Sequence, residues 1–92
     1  MDFGDAIRAL KDAKRVARAG WNGKGMWLQL VKAFNKEDSI LDWPENRPRI
    51  MGSGGKRMRS FIEMKDATDH YVPWLASQTD MLAEDWEVVD GS

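Results

Sequence analysis

Two strand candidates, at about 14–19 and 26–34, flank the hexapeptide Gly20-Trp21-Asn22-Gly23-Lys24-Gly25, and this arrangement constrains the fold more than any other feature. In the second stretch Met26, Leu28 and Leu30 alternate with Trp27, Gln29 and Val31, which is the period-2 pattern of a strand. Asn22-Gly23 predicts the turn between the strands, because both central positions of a type I′ hairpin take positive φ. Ahead of this pair, Phe3, Ala6, Ile7 and Leu10 follow the i, i+3, i+4, i+7 spacing of one buried helix face over 3–13. Asp2 suits the N-cap, and Asp5 falls in the first turn, where the helix dipole favours negative charge.

The remainder divides into an irregular stretch and a second strand-rich one. Residues 35–59 hold Trp43-Pro44, Arg47-Pro48 and Gly52-Ser53-Gly54-Gly55, a long connection for a small domain and the mark of a functional or partner-covered loop. Strands are expected at 60–65 and 70–74 with a polar turn at 66–69, Pro73 marking a strand end or an edge position. A short helix over 77–83 and a strand over 86–89 complete the chain. The fold class is α+β: one domain over 1–92, a small antiparallel sheet with an N-terminal helix and a short C-terminal helix.

Ninety-two residues without a cysteine exclude disulfides, thiolate metal sites and thiol nucleophiles together. A single histidine, His70, argues against a histidine metal site, so no metal and no cofactor are expected. A domain of this size buries only about 60–65% of its unfolded surface, which favours a homo-oligomer. No signal peptide or membrane span is legible, and the expected location is the cytoplasm. The charges are segregated. Arg8, Lys11, Lys14, Arg15, Arg18 and Lys24 stand against Asp12 alone, five bases lie between Arg47 and Arg59, and eight acids face only Lys65 from Glu63 to Asp90. Such a pattern fits complementary surfaces that meet within or between subunits, or a positive site for a phosphate-bearing ligand. The acidic half argues against a nucleic-acid partner.

Two segments could carry recognition. In 20–25, three glycines bracket Trp21 and Asn22, either as a hairpin with Trp21 folded onto the core or as a turn offering Trp21 as a stacking plate and Asn22 as a base or ribose reader. The spacing matches neither a P-loop nor a dinucleotide fingerprint. In Pro73-Trp74-Leu75-Ala76-Ser77-Gln78-Thr79-Asp80, the pair Ser77 and Asp80 reads as a capping box, or as a helix start holding a hydroxyl or phosphate of a ligand. Trp27 and Trp86 sit in strand patterns and are expected in the core or an interface; Trp21 and Trp74 are the better stacking candidates, worth ~1–3 kcal/mol per base stacked. Ser77 has no G-x-S-x-G context, His70 lies between strand-like residues as structural histidines do, and no two carboxylates are fixed on one face. Binding is therefore expected, and not catalysis.

Both segments together resemble the second Thoeris anti-defence family, small proteins of bacteriophages and prophages. The likeness is carried by Phe3-Gly4-Asp5-Ala6 with Leu10, by the run from Val16 to Met26, and by the run from Val72 to Val89. Residues 32–59 depart from it, and the family's typical Asp-Gly hairpin turn is replaced by Thr68-Asp69-His70. The resemblance implies a homotetramer acting as a sponge in the cytoplasm of the infected bacterial host. Its partner would be a cyclic nucleotide-type signal, a cyclic ADP-ribose isomer made by Thoeris sensors, held without cleavage. Some relatives hold cyclic oligonucleotide signals at a separate site. The expected ligand-binding residues are Arg18, Trp21, Asn22, Gly23, Lys24, Trp74, Ser77, Gln78, Thr79 and Asp80. Trp21 and Trp74 suit an adenine face, while Asn22, Ser77, Gln78, Thr79 and Asp80 suit hydroxyls. Backbone N–H groups with Arg18 or Lys24 suit phosphates. A sponge must outcompete a receptor, which sets the scale at nanomolar affinity, roughly −12 kcal/mol. The rival readings are a hydrolase for the same signal and a module binding protein or single-stranded nucleic acid through the basic 47–59 segment.

Overall fold

A computed structural model describes residues 1–21, 25–33, 50–51 and 59–89 of the chain. Helix α1 (Phe3–Lys11) begins with a reciprocal cap: Asp5 N–H donates to Asp2 Oδ1 at 2.8 Å, and Asp2 N–H donates to Asp5 Oδ2 at 3.3 Å. It ends at Asp12 in a left-handed turn at Ala13, φ 65°. There the Lys14 and Ala13 N–H groups donate to the Ala9 and Leu10 carbonyls, each at 3.0 Å, so the last carbonyls of the helix are satisfied. The apolar face expected from spacing is the buried one, with Ala6, Ala9 and Leu10 inside.

The strands are β1 (Arg15–Arg18), β2 (Trp27–Ala33), β3 (Ile50–Met51), β4 (Phe61–Lys65), β5 (Tyr71–Pro73) and β6 (Trp86–Val89), with the short helix α2 (Gln78–Leu82) before the last. Five of them form an antiparallel sheet in the order β5–β4–β2–β1–β6. Pro73 lies in an edge strand, where its missing N–H costs no ladder bond. Registers Val16↔Leu28, Val16↔Val88 and Leu28↔Met64 put Val16, Leu28, Leu30, Ile62, Met64 and Trp86 on one face. Helix α1 packs there, and Ala6, Ala9, Leu10, Val16, Leu28 and Trp86 make the core cluster. On the opposite face Trp27, Val31 and Ala33 are buried beside Gln29, whose amide donates to the cross-strand carboxylate of Glu63 at 2.7 Å. Among the described residues no helix is long and apolar enough to cross a membrane.

The α+β expectation and its element order stand, with two local corrections. The 35–59 stretch is not wholly irregular, because β3 pairs in parallel with the end of β2 through Lys32↔Ile50 and Ala33↔Met51. Two residues among prolines and glycines are too few for a period-2 signal to show. His70, expected inside a strand, sits just before β5 with its side chain 75% exposed. The Asn22-Gly23 turn lies outside the described residues. What is described shows the β1 chain leaving the ladder early, turning through a 3-10 segment at Ala19–Trp21.

The turn joining β4 to β5 explains how the chain manages without the glycine typical of such turns. Asp69 N–H donates to the Asp66 carbonyl and Asp66 N–H to the His70 carbonyl, which makes a three-residue loop whose last position takes positive φ, here Asp69 at 67°. The Asp66 carboxylate holds this shape by accepting from Thr68 N–H, Thr68 Oγ1 and His70 N–H at 2.8–2.9 Å. These bonds, the one to His70 N–H foremost, hold its carboxyl below the usual carboxylate range. Asp69 itself is 81% exposed in its side chain and, among the described residues, pairs with Lys65, an ion pair worth little in water. Replacing Asp69 by glycine therefore removes the left-handed strain at small cost. Asp69→Gly is expected to stabilise the domain by about 0.5–1 kcal/mol, read as a higher thermal midpoint by calorimetry.

Candidate functional site

The site is organised around Trp86. Its indole is 2% exposed, and its ring N–H donates to the Asp80 carbonyl at 3.0 Å, so a large apolar plate is buried with its one polar atom satisfied. Three aromatic rings lean on it. Trp21 stands edge-on at 5.4 Å between centroids, Trp74 edge-on at 6.1 Å, and Phe3 is tilted at 5.6 Å. Phe3 also touches Trp74 at 6.3 Å. Trp21 and Trp74 were read from sequence as separate plates beside turns. They flank the same core tryptophan, each half-buried, one arriving from the end of β1 and the other from the segment after β5.

Beside this cluster the segregated charges meet. Arg18, at the end of β1, donates from Nε to Asp85 Oδ1 at 2.8 Å and from Nη1 to Asp80 Oδ1 at 3.0 Å. A base of the N-terminal half is thus paired with two acids of the C-terminal half inside one subunit. The Arg18 side chain is only 19% exposed and that of Asp80 15%, so the pair is sheltered from water. Asp85 Oδ2 also accepts from the Gly20 N–H at 2.9 Å.

The capping box expected at Ser77 and Asp80 is present. Asp80 N–H donates to Ser77 Oγ at 3.1 Å, while Ser77 N–H and Oγ–H donate to Asp80 Oδ2 at 3.2 and 2.9 Å. Both Asp80 oxygens are therefore engaged within the chain, one by the cap and one by Arg18. Gln78 and Thr79 are exposed on α2 and stand next to these committed groups. Arg18, Trp21, Trp74, Ser77, Gln78, Thr79 and Asp80 are brought into one neighbourhood; Asn22, Gly23 and Lys24 lie outside the described residues. Sequence reasoning does not single out Asp85, and it places Trp86 in the core or an interface. Charge segregation was the available signal for Asp85, since a basic strand end needs an acidic partner.

Electrostatics follow the contacts. The hydrogen bond from Arg18, then that from Gly20 N–H, holds the Asp85 carboxyl below the usual carboxylate range. For Asp80, burial pushes the carboxyl up, but the Ser77 hydroxyl and N–H together with Arg18 outweigh it and the net direction is down. Bonds to Asp85 and then Asp80 raise the Arg18 guanidinium further above its ordinary value.

Comparison with known proteins gives the family. A family model described as the Thoeris anti-defense 2-like domain matches residues 1–89. The chain belongs to that family. It is also 38% identical over 92 residues to a protein of Bacillus phage SP01 named Thoeris anti-defense 2, covering 97% of this chain and 94% of the relative. The match spans 32–59 as well, the stretch in which no likeness to the family was legible. Family and relative together support an anti-defence role.

The depressed carboxyls make a pH prediction. In the unfolded chain Asp80 and Asp85 titrate near the ordinary value, about 3.9, and in the folded chain they titrate lower. Their contribution is thus complete above that value and is lost as pH falls through the folded values. Thermal midpoints measured from pH 6 down to pH 2 are expected to fall below pH ~4. In Arg18→Met the fall is expected to be shallower over the same window, because the main depressing partner of Asp85 is gone.

Proposed function

We propose that this protein sequesters a cyclic ADP-ribose-type signal of Thoeris defence, holding it uncleaved in the cytoplasm of an infected bacterium so that the effector is not switched on. The observation that carries this reading is the convergence of Trp21 and Trp74 on Trp86, with the exposed polar residues Gln78 and Thr79 nearby, in a chain of an anti-defence family. Two half-buried indoles offer faces to a purine. The side chains and backbone around α2 offer partners to ribose hydroxyls.

Retention without cleavage is supported by how the reactive-looking groups are occupied. The Ser77 hydroxyl closes a cap with Asp80, and the Asp80 carboxylate is shared between that cap and Arg18. Both groups are thereby committed to structural bonds at the start of α2. His70 is placed at the β4–β5 turn, where Nδ1 lies 2.9 Å from Thr68 Oγ1. The decisive experiment incubates the protein with the signal, heat-denatures it and analyses the supernatant by mass spectrometry. Intact signal, recovered in proportion to protein, is the expected result. A linear or hydrolysed product would establish an enzyme instead. At the residue level, Trp21→Ala is expected to abolish binding measured by calorimetry while the circular dichroism spectrum is kept. Unchanged affinity in that folded variant would remove Trp21 from the site.

The acting form in this proposal is a homotetramer. Leu75, just before α2, is 91% exposed, and on α2 Leu82 is 78% and Met81 39% exposed, uncovered apolar side chains in one short segment that suit coverage by another copy. Leu82→Asp is expected to shift the species seen by analytical ultracentrifugation to a smaller mass. A tetramer that persists unchanged would place the subunit contact elsewhere.

A further inference from the structure

Asp85 joins the end of β1 to the start of β6. Three consecutive residues at the end of β1 donate to it: Arg18 Nε to Oδ1 at 2.8 Å, Ala19 N–H to its carbonyl at 2.9 Å, and Gly20 N–H to Oδ2 at 2.9 Å. Immediately after this contact, Trp21 sets its ring edge on Trp86, the residue following Asp85. The dipeptide Gly20-Trp21 is thus docked on the dipeptide Asp85-Trp86, backbone to carboxylate and ring to ring. Arg18 carries the connection onward to Asp80 on α2.

Gly20 is part of the same fitting. A Cβ added there would lie 3.0 Å from Asp85 Oδ2, so a larger residue displaces the carboxylate or the turn. The requirement is close approach, not an unusual dihedral. The Asp85 carboxylate itself is partly exposed, at 34%, and stands outside the core cluster. Core packing therefore does not need it, whereas the placement of the 3-10 turn does.

We infer that Asp85 is the positioning residue of the ligand site: its carboxylate fixes the Ala19–Trp21 turn, and through it the Trp21 ring, in the orientation that receives the ligand. This rests on the sequestration reading for its consequence in binding, but its structural half stands apart from it. An amide is not an equivalent group here. Asparagine at 85 has one acceptor oxygen, so either the Arg18 Nε–H or the Gly20 N–H would face the NH2 donor. The turn is then no longer held by two charge-assisted bonds, and a binding group that must be ordered on arrival costs affinity.

The test uses the full chain with 5-fluorotryptophan, the Trp21 resonance being assigned by its loss in Trp21→Phe. Asp85→Asn and Gly20→Ala are each expected to shift or broaden the Trp21 fluorine signal while the Trp27 signal, on the opposite sheet face, stays in place. Calorimetric titration with the cyclic ADP-ribose isomer is expected to show affinity weakened roughly tenfold or more in both variants. Asp85→Asn and Gly20→Ala with wild-type Trp21 signals and wild-type affinity would overturn the inference. A uniform shift of all tryptophan signals would also overturn it, because it would make Asp85 a general stability residue. Should one variant not fold, the other carries the same comparison. If the wild-type protein bound no such isomer, the sequestration reading would fail while the fluorine signals still decided whether Asp85 sets Trp21.

Discussion

The burial of one indole with its N–H satisfied underlies most of what this small chain does. A tryptophan inside a 92-residue domain removes a large apolar area from water, but only if its ring nitrogen finds an acceptor. Trp86 finds one in the Asp80 carbonyl, and that bond, with the Arg18–Asp80 pair, ties α2 to the sheet. Phe3 from α1, Trp21 from the end of β1 and Trp74 from the segment after β5 then meet around the ring. The aromatic cluster joins helix, sheet and site. No disulfide is available to do that joining.

Much of this was legible in sequence, for reasons that differ element by element. The spacing of Phe3, Ala6, Ile7 and Leu10, the N-cap at Asp2 and the capping box at Ser77 are local signals, and both helices form where those signals lie. The β2 alternation also survived, since its two faces are both buried and each needs apolar residues. What sequence could not show was non-local. Charge segregation asks for an acidic partner to the basic strand end, but nothing local singles out Asp85 among the C-terminal acids as the acceptor for three residues about 65 positions earlier. The pairing of Ile50–Met51 with β2 is equally silent, because a two-residue parallel ladder has no pattern of its own. Exposure was misjudged in the same way. Trp74 and Trp21 are flanked by turn residues, which suggested open plates, whereas tertiary contact with Trp86 tucks each of them halfway in.

Occupancy of the polar groups narrows what the described part of the site can offer. Arg18 looked like a free cation for phosphate, but its charge is met by Asp80 and Asp85. Three charges of the sequence are spent on holding segments together, with a small net negative balance. A neighbourhood of that sign receives hydrogen-bond donors more readily than anions. Phosphates of the proposed signal would have to be met by groups other than Arg18.

The pairing of β1 with β6, Arg15↔Val89 through Arg18↔Trp86, has a consequence for the order in which the molecule comes into being. A ladder between segments some seventy residues apart closes a long loop, and the entropy of that closure is lost before the contacts return anything. Trp86 and Asp85 both belong to that late segment, so neither the aromatic cluster nor the Arg18 bracket exists in a chain still being synthesised up to α2. The aromatic cluster and the bracket therefore form together, at the moment β6 becomes free to pair with β1.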